Sequence, residues 1–452
     1  MIAEGPAWQY INQVMSMRII KTDQPLSDPA VTGLRDRLRA GGVTGGSLGD
    51  VDVPAVVREV IADVESRGDQ AVIDLTAKIE QVELVPQRMR VSTEEIAAAH
   101  KAADKKFLRL VRRTIKNIRR YQSRILVKAP RPLKRGGRSL GVRYTPIDRV
   151  GVYVPGGRAL YPSTVLMTVV PAQVAGVREI AILSPPTGGD IDPAVLALAG
   201  ELGIDEVYRV SGTAGLAAMA IGTASIARVD KIVGPGNAFI AEAKRQLFGR
   251  VGIDSIAGPS EVLIIADDAA DPAWVAADLL AQAEHDPGSA ILVTPSPQLA
   301  EAVNAAVDEQ LTRLERAAAA RKCLEAYGAI VVVASLDAAC EVANEFATEH
   351  LQIITADDEA TLGKIRNAGA VFLGPYTPVP LGDYYAGPSH VLPTGGTAKF
   401  FGPLSCNDFL KASSVVRYDG QSLVADAADV MDFATREGLG AHARAVGIRK
   451  PQ

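Results

Sequence analysis

Residues 231–248 read KIVGPGNAFIAEAKRQLF, a short apolar run, a glycine turn and a helical segment in direct succession. Lys231–Val233 has the length and character of a buried strand, and Ala238–Phe248 has the composition of a helix. Gly234-Pro235-Gly236-Asn237 joins them, and such a turn leaves backbone N–H groups at the helix start free to face an anion. The stretch therefore predicts one β-turn-α unit of a parallel sheet. The turn alone is a weak signal for a phosphate site, because similar turns also join elements that bind nothing.

The same pattern extends in both directions from this unit. Short apolar runs alternate with helical segments, which is typical of α/β proteins with sheets buried on both faces. The predicted strands are Val150–Val154, Glu179–Leu183, Glu206–Val210 and Lys231–Val233, followed after Gly258-Pro259-Ser260 by Val262–Ala266, Ala290–Val293, Ile330–Val333, Leu351–Thr355 and Val371–Leu373. Two successive α/β modules are the simplest account. The first strand also runs into a glycine turn, Pro155-Gly156-Gly157, whereas no Gly-x-Gly-x-x-Gly fingerprint joins a strand to a helix.

The flanking segments have a different character. Residues 1–50 are loop-rich and predict an arm or linker, and residues 52–125 predict helices, with Asp52 and Pro54 starting one and Ser92 starting a long one. Residues 374–396 contain five Gly and five Pro among 23 positions. A loop of this length is usually functional or disordered. The last fifty residues return to a helical pattern.

Length and composition describe a large globular protein. The chain has 452 residues, of which 48% are apolar and 22% are charged. This composition excludes wholesale disorder and a disulfide-built miniprotein, and the length suggests about three domains. No signal peptide and no membrane-spanning segment are predicted. Three cysteines, Cys323, Cys340 and Cys406, are far apart and odd in number, so we expect a protein of the reducing cytoplasm without disulfides.

Charge is unevenly distributed along the chain. The net charge is −4, so no general attraction to nucleic acid is expected. Residues 105–138 nevertheless contain fourteen Lys or Arg and no acidic residue. Ser92 and Glu95 predict a capping box, and apolar residues then recur at helical spacing. We interpret the stretch as the solvated basic face of one long helix, with nucleic-acid binding as the less favoured alternative.

Histidines carry most of the functional signal. Of the five, His100 lies in the basic helix without a suggestive neighbour, and each of the others has polar company. The four pairs are Gln282 with His285, Glu349 with His350, Asp383 with His390, and Glu437 with His442. The first pair shares one face of a helix that Asp271 and Pro272 start. The last pair converges only if Gly438 or Gly440 breaks the helix.

Side chains of these types suit a metal centre. An amide oxygen, a carboxylate and two imidazoles are appropriate ligands for Zn²⁺ or a similar borderline metal with positions open to substrate. For any single histidine, a surface or structurally satisfied role is the ordinary alternative. The residues by themselves do not decide which histidines bind metal and which transfer protons.

A set of segments in this chain together resembles the histidinol dehydrogenase family. They occur in the family's order and span roughly residues 30 to 447. The segments are Gly151-Val-Tyr-Val-Pro-Gly-Gly157, Gly234-Pro-Gly-Asn-Ala-Phe239, Gly258-Pro-Ser-Glu-Val262, Gln282-Ala-Glu-His285, Glu349-His-Leu351, Gly382-Asp-Tyr384 with Ser389-His-Val-Leu-Pro-Thr394, and Glu437 with Ala441-His442. Each piece alone is unspecific, but the combination is highly specific.

The resemblance implies an activity and a set of roles. The family oxidises L-histidinol through L-histidinal to L-histidine with two NAD⁺, the last steps of histidine biosynthesis, on a zinc-containing homodimer. The implied Zn²⁺ ligands are Gln282, His285 and Asp383 from one subunit and His442 from the other. Glu349 is implied as the base that activates water and His350 as the base that takes the alcohol proton. Substrate contacts are implied for the four zinc ligands and for His350. They are also implied for Ser260, His390 and the partner's Glu437. Cofactor contacts are implied for Tyr153 and Asn237.

The resemblance also implies an α/β fold with two degenerate Rossmann-like domains, an N-terminal helical segment and a small C-terminal helical domain. We accordingly expect an arm at 1–50, a first α/β domain at 51–147 and 261–397 that carries the metal and catalytic residues, an NAD-binding α/β domain at 148–260, and a helical domain at 398–452 that reaches the partner subunit's site. No nucleic-acid or membrane partner is expected.

Three positions depart from the family pattern. Ala214 stands where Gln usually helps to hold the cofactor, Ser389 replaces a common Asn, and Thr348 replaces a common Pro. The alternatives are a relative that oxidises another polar alcohol or diol with NAD and zinc, a zinc hydrolase without NAD, and a noncatalytic nucleotide-binding module. A thiohemiacetal on cysteine is not favoured, because no cysteine lies in a matched segment.

Overall fold

A computed structural model of the chain describes residues 17–43, 51–156, 162–285 and 288–450. In chain order, the strands of these residues are β1 (Ile19–Lys21), β2 (Leu133–Arg135), β3 (Arg138–Pro146), β4 (Arg149–Tyr153), β5 (Glu179–Leu183), β6 (Val207–Tyr208), β7 (Lys231–Val233), β8 (Gly252–Ile253), β9 (Ser260–Ala266), β10 (Gly288–Thr294), β11 (Ala329–Val332), β12 (His350–Ile354), β13 (Ala370–Leu373) and β14 (Leu410–Tyr418).

The helices of the same residues are α1 (Pro29–Val43), α2 (Val53–Arg67), α3 (Asp69–Glu80), α4 (Pro86–Met89), α5 (Thr93–Ala102), α6 (Lys105–Ile125), α7 (Pro162–Ala175), α8 (Pro193–Leu202), α9 (Gly212–Ile221), α10 (Ala238–Leu247), α11 (Pro272–Ala283), α12 (Pro297–Leu311), α13 (Ala317–Tyr327), α14 (Leu336–Phe346), α15 (Asp358–Leu362), α16 (Val379–Leu381), α17 (Gly420–Arg436) and α18 (Gly440–Gly447). A π-helical turn spans Gly382–Ala386, and short 3-10 turns span Thr397–Lys399 and Cys406–Phe409. None of the described helices combines the length and apolar character needed to cross a bilayer.

Two parallel sheets confirm the predicted α/β class. Sheet one has the strand order β1-β11-β10-β9-β12-β13, and sheet two has the order β6-β5-β4-β7-β8. All nine strands predicted from apolar runs lie in these sheets, with each end within two residues of the predicted one. In each sheet the order reverses beside the first long strand, at β9 and β12 in sheet one and at β4 and β7 in sheet two. Such switch points are where doubly wound sheets open a crevice for ligands.

The N-terminal stretch contributes to sheet one. β1 pairs in parallel with β11 at the sheet edge, and α1 packs Val31, Leu34 and Leu38 against the core of that sheet. Residues 17–43 are therefore part of the α/β body, which differs from the arm or linker that we predicted for 1–50. The apolar pattern of β1 is only three residues long, too short to separate from loop sequence. Residues 1–16 and 44–50 lie outside the described ranges.

Helices α2 to α6 cover sheet two. Val57 of α2 and Ile73 of α3 share a core with Ala181 and Ile232, and Ile96 and Ile118 of α5 and α6 share another with Val150. The resemblance predicts one domain made of 51–147 and 261–397, but the packing places these helices on the 148–260 sheet. Amphipathic periodicity shows that a helix has a buried face without showing which sheet receives it.

The predicted long helix from Ser92 is two helices. Ser92 does form the expected capping box with Glu95, but α5 ends at Ala102. Ala103 is extended, and the Asp104 side chain accepts a hydrogen bond from the Phe107 N–H to start α6. The basic segment continues past α6 into β2 and the start of β3, so it is not one helix.

The C-terminal unit contains a strand that the sequence analysis missed. β14 pairs antiparallel with β3 from Leu410 opposite Pro146 to Tyr418 opposite Arg138. Helices α17 and α18 follow, and Arg138 pairs with Asp426 of α17. The predicted helical domain at 398–452 is therefore mixed. Nearly every residue of β14 is exposed in the single chain, so the strand lacks the alternation that a buried face would impose.

Candidate active site

The Glu349-His350 pair lies at the amino end of β12. Helix α14 ends at Phe346, and Ala347 adopts the left-handed conformation with φ 52° that turns the chain into the strand. The Thr348 hydroxyl donates to the His350 carbonyl oxygen at 3.0 Å and supports this turn. Glu349 and His350 are only 7% and 3% exposed. The pair therefore lies buried where a helix gives way to a strand.

Neighbouring β9 supplies the partners of Glu349. Its Oε2 accepts from the Ser260 hydroxyl at 2.5 Å and from the Glu261 N–H at 2.9 Å. Both bonds use Oε2, so Oε1 is left for another donor. Burial raises the pKa of the Glu349 carboxyl above its usual range, because desolvation disfavours the carboxylate. Glu349 is thus an oriented carboxyl group of increased basicity.

His350 is oriented by its two ring nitrogens. Nδ1 lies 2.9 Å from the Glu261 carbonyl oxygen, which can only accept, so Nδ1 carries a proton. Nε2 lies 3.4 Å from Asp383 Oδ1 and has no hydrogen-bond partner among the described residues. Burial by itself lowers the pKa of His350, but the charges of Glu349 and Asp383 outweigh it and raise the pKa to about 9. The imidazole therefore has a fixed ring orientation and one nitrogen available for chemistry.

Helix α11 brings Gln282 and His285 to the same end of sheet one as Glu349 and His350, where strands β9 and β12 begin. The helix starts at the predicted Asp271-Pro272, where the Asp271 side chain accepts from the Ala273 N–H. Gln282 is buried on its last turn, and its Nε2 has no partner among the described residues. His285 follows the helix end and its N–H donates to the Gln282 carbonyl oxygen at 3.2 Å. Burial lowers the pKa of His285, which favours the neutral imidazole that metals bind.

The Gly/Pro-rich loop contributes Asp383 and His390. Asp383 lies in the π-helical turn, and its carbonyl oxygen is 3.0 Å from His390 Nδ1. His390 Nε2 lies 3.3 Å from the Thr164 hydroxyl of α7, and the Ser389 hydroxyl donates to the Met167 carbonyl oxygen at 2.9 Å. The Ser389 that replaces the family's usual Asn thus fastens the loop to the sheet-two side. The segment predicted as a long loop, functional or disordered, contains one short helix and this turn.

These residues form one cluster, and it suits a shared metal. Within the described ranges, no group of three or more His, Cys, Asp and Glu side chains is placed to hold a metal ion. The predicted shell, however, takes only His285 and Asp383 of those types from one chain, together with the Gln282 amide. No described residue anchors the Gln282 amide through its Nε2, so its oxygen can face a cation, and the pKa of His285 beside the Asp383 charge is lowered. An amide oxygen, a neutral imidazole and a carboxylate are appropriate to a borderline metal. The residues present therefore fit Zn²⁺ whose shell is completed from elsewhere.

The glycine turn of residues 234–237 follows β7 as predicted. Gly234 has φ 123°, and a Cβ there would lie 2.1 Å from the Tyr153 carbonyl oxygen, so only glycine fits. The exposed Asn237 caps α10 by accepting from the N–H groups of Phe239 and Ile240 at 3.1 and 3.2 Å. The turn therefore presents a helix start at the switch point of sheet two.

Tyr153 ends the adjacent strand β4. Tyr153 is 4% exposed, and it packs closely on Gly212. A Cβ added to Gly212 would lie only 3.0 Å from the ring and from the hydroxyl of Tyr153. Little of this side chain is available to a cofactor in this conformation, although its backbone adjoins the glycine turn. Ala214 of α9 is fully buried. The first glycine turn is described only as far as Gly156.

Glu437 and His442 lie outside the cluster of their own chain. Gly438 has φ 75° and separates α17 from α18, so the helix break that convergence of this pair requires is present. Both side chains are exposed. No hydrogen bond or ion pair joins either side chain to a described residue of the cluster.

Two buried groups escaped the sequence analysis. Glu261 touches both catalytic candidates through its backbone, and its buried side chain accepts from the Gly395 N–H at 2.9 Å. Lys244 and Asp254 form a buried ion pair beneath the glycine turn. The signal for Glu261 was its place within Gly258-Pro-Ser-Glu-Val262; nothing in the sequence pairs Lys244 with Asp254. All three cysteines are buried.

Comparison with known proteins assigns a family to this arrangement. The model of a family described as histidinol dehydrogenase matches residues 46–450. The histidinol dehydrogenase of Rhodopirellula baltica is 51% identical over 395 residues, which cover 87% of this chain and 86% of that protein. That of Bacillus subtilis is 48% identical over 396 residues, covering 87% and 92%. The crystal structure of histidinol dehydrogenase from Elizabethkingia anophelis superposes with a TM-score of 0.87 at 32% identity and covers 96% of this chain and 98% of that one.

Proposed function

Because this chain belongs to the histidinol dehydrogenase family, we propose that it oxidises L-histidinol through L-histidinal to L-histidine, with two NAD⁺ as oxidants and Zn²⁺ in its active site. The observation that carries the proposal is the buried Glu349-His350 pair, held by β9 and facing Asp383. One imidazole and one carboxylate in contact provide two different bases at one place, as a two-step oxidation requires.

His350 is the proposed base for the alcohol step. Its Nδ1 proton is held by the Glu261 carbonyl oxygen, so Nε2 is the ring nitrogen that takes the hydroxyl proton as hydride leaves for NAD⁺, once the imidazole is neutral. The charge of Asp383 contributes to the raised pKa of His350. A cation bound at Asp383 would offset that charge and return the imidazole toward its neutral, basic form.

Glu349 is the proposed base for the aldehyde step. An aldehyde cannot give up hydride until water has added to it, and Glu349 removes a proton from that water. Ser260 and the Glu261 N–H hold Oε2, which leaves Oε1 to accept the water proton. The second hydride transfer from the hydrated aldehyde then yields the carboxylate.

We propose Gln282, His285 and Asp383 as the zinc ligands from this chain, with His442 of the partner subunit. Bound zinc would hold the substrate's nitrogen atoms and so orient the alcohol carbon. Support comes from the fit of Gln282, His285 and Asp383 to a metal. The exposed His442, which no hydrogen bond or ion pair joins to these residues in its own chain, is accessible to a partner subunit. His390 and Ser260 are proposed to contact substrate from the same edge, with Glu437 of the partner subunit.

NAD is proposed to bind at the glycine turn of sheet two. The turn lies at the carboxyl ends of β4 and β7, where parallel sheets receive nucleotides. Asn237 is exposed there, and the α10 start offers N–H groups to the pyrophosphate. For Tyr153 we propose a contact through its backbone or ring edge, because its side chain is buried.

We propose a homodimer with shared sites because the C-terminal unit exposes large apolar side chains and carries two of the proposed site residues. Phe433 and Ile448 are 71% and 82% exposed, and large apolar side chains left in water are typical of an interface. The same unit carries Glu437 and His442, which its own site does not use. We also propose a cytoplasmic location, in keeping with the cysteine content, and no nucleic-acid or membrane partner.

The yield of NADH per histidinol consumed tests this function. The zinc-loaded enzyme should form two NADH for each histidinol and accumulate histidine. One NADH per molecule would instead indicate a simple alcohol oxidation, as expected of a relative with another substrate. Absence of NADH from histidinol and from other polar alcohols would contradict the dehydrogenase and favour hydrolase or binding-module chemistry.

A further inference from the structure

A separate cavity of about 500 Å³ lies between α6, α7 and α8. The wall from α6 carries Arg112, Lys116, Arg119 and Arg120, and the opposite wall carries Gln173 and Glu201. None of these residues belongs to the cluster around Glu349 or to the glycine turn. Cavities of about 300–1,000 Å³ are the usual size for small-molecule sites.

The single acid of the cavity is already neutralised. Arg112 donates to both oxygens of Glu201 at 2.7 and 2.9 Å, and His100 Nε2 lies 2.8 Å from the same carboxylate. The guanidinium of Arg112 holds the pKa of Glu201 below its usual value, so the carboxylate stays charged and paired. Glu201 therefore cannot serve the remaining cations of the wall.

Three cations remain without a carboxylate. Arg119 reaches only the Gln173 amide oxygen, at 3.2 Å. Among the described residues, no carboxylate forms an ion pair with Lys116, Arg119 or Arg120. Residues 116, 119 and 120 are neighbours on the helix surface, where like charges repel. Helix α6 buries its apolar face without them, so packing does not require this concentration of charge.

The lining of this open cavity indicates the class of anion. Ile115 and Leu202 line it with apolar surface beside the cations, and the charges face a concavity of small-molecule size. Arginine forks and lysine point charges are the side chains that bind phosphate oxygens. We propose that this cavity binds a ligand with two or more adjacent phosphate groups, of the nucleoside triphosphate class. The basic surface of α6 continues outside the cavity at Arg109 and Arg113, so a nucleic-acid strand along the helix is the alternative that the test must separate.

Fluorescence anisotropy with a fluorescently labelled ATP tests the site on the full-length enzyme. The double variant Lys116→Gln/Arg120→Gln removes two cavity cations, and Arg109→Gln/Arg113→Gln removes two exposed cations of the same helix that do not line the cavity. Since a charge-assisted contact accounts for about tenfold in affinity, the cavity variant should bind roughly a hundredfold more weakly. The control changes the net charge by the same amount but leaves the cavity cations in place. It should therefore keep most of the affinity. Circular dichroism of both variants verifies folding.

Competition identifies what the site recognises. Unlabelled tripolyphosphate should displace the probe, and stronger displacement by ATP would add a contact to the nucleoside. No binding to the wild-type enzyme, or equal weakening in both double variants, would overturn the proposal. So would displacement by NAD⁺ with full affinity in the cavity variant, since that places the probe at the glycine turn. Displacement by single-stranded RNA, but not by tripolyphosphate, would replace it with a nucleic-acid surface.

Discussion

The buried Lys244–Asp254 pair should stabilise both the fold and the cofactor turn. Their side chains are 3% and 4% exposed, and Nζ lies 2.6 Å from Asp254 Oδ1. Lys244 also donates to the Gly234 carbonyl oxygen, and Asp254 Oδ2 accepts from the Gly234 N–H at 2.7 Å. The pair therefore holds both polar groups of the residue whose positive φ starts the turn.

Lys244→Met removes the cation and leaves a buried carboxylate. Removal of one partner from a buried ion pair costs about 3–5 kcal/mol. Asp254 keeps its bonds to the N–H groups of Gly234 and Ser255, so we expect the lower end, about 3 kcal/mol. Adding Asp254→Asn should recover part of this loss, because the double variant buries no unpaired charge.

Urea unfolding and the KM for NAD⁺ measure the two effects. We expect Lys244→Met to lower the free energy of unfolding by about 3 kcal/mol and to raise the KM for NAD⁺ more than that for histidinol. Lys364→Met is the control, because Lys364 and Asp337 form a pair that is 50% and 72% exposed and such pairs contribute about 1 kcal/mol or less. Equal, small losses in both variants with an unchanged KM for NAD⁺ would refute the clamp.

Three further predictions concern the active site. His285→Asn should lose zinc, measured by metal analysis, and should reduce turnover by more than the tenfold to hundredfold typical of changes around metal ligands. The control His100→Asn should keep both zinc and turnover. Full zinc occupancy in His285→Asn would reject His285 as a zinc ligand. Glu349→Gln should slow single turnover from histidinal far more than from histidinol, because an amide cannot deprotonate water, while the exposed Glu341→Gln should change neither; equal slowing of both half-reactions would assign Glu349 a positional role. Subunits of inactive Gln282→Ala and inactive His442→Ala, mixed and reassorted, should regain about one quarter of wild-type activity, because half of the dimers are mixed and each has one intact site. Mixed dimers without activity would show that His442 serves its own subunit.

Local patterns in the sequence determined most of the secondary structure. Each of the nine predicted strands is an apolar run bounded by turn residues, and burial on both faces demands such a run wherever the strand lies. The caps at Asp52, Ser92 and Asp271 are likewise formed by groups within three residues of one another. The family motifs predicted the site residues because their chemistry is carried by residue type and order.

Only the tertiary structure decided what those elements contact. His350 pairs with Val262 in the register of β12 on β9, and that register places Glu349 beside Ser260 and Glu261. The cluster lies at the amino ends of β9 and β12, although the switch-point rule favours carboxyl ends. Helices α2 to α6 pack on sheet two, β14 pairs with β3, and Lys244 forms an ion pair with Asp254. Each of these outcomes depends on contacts between distant residues, whose free energies no local periodicity encodes. A local pattern determines that a face is buried, and the packing of the whole chain determines which element covers that face.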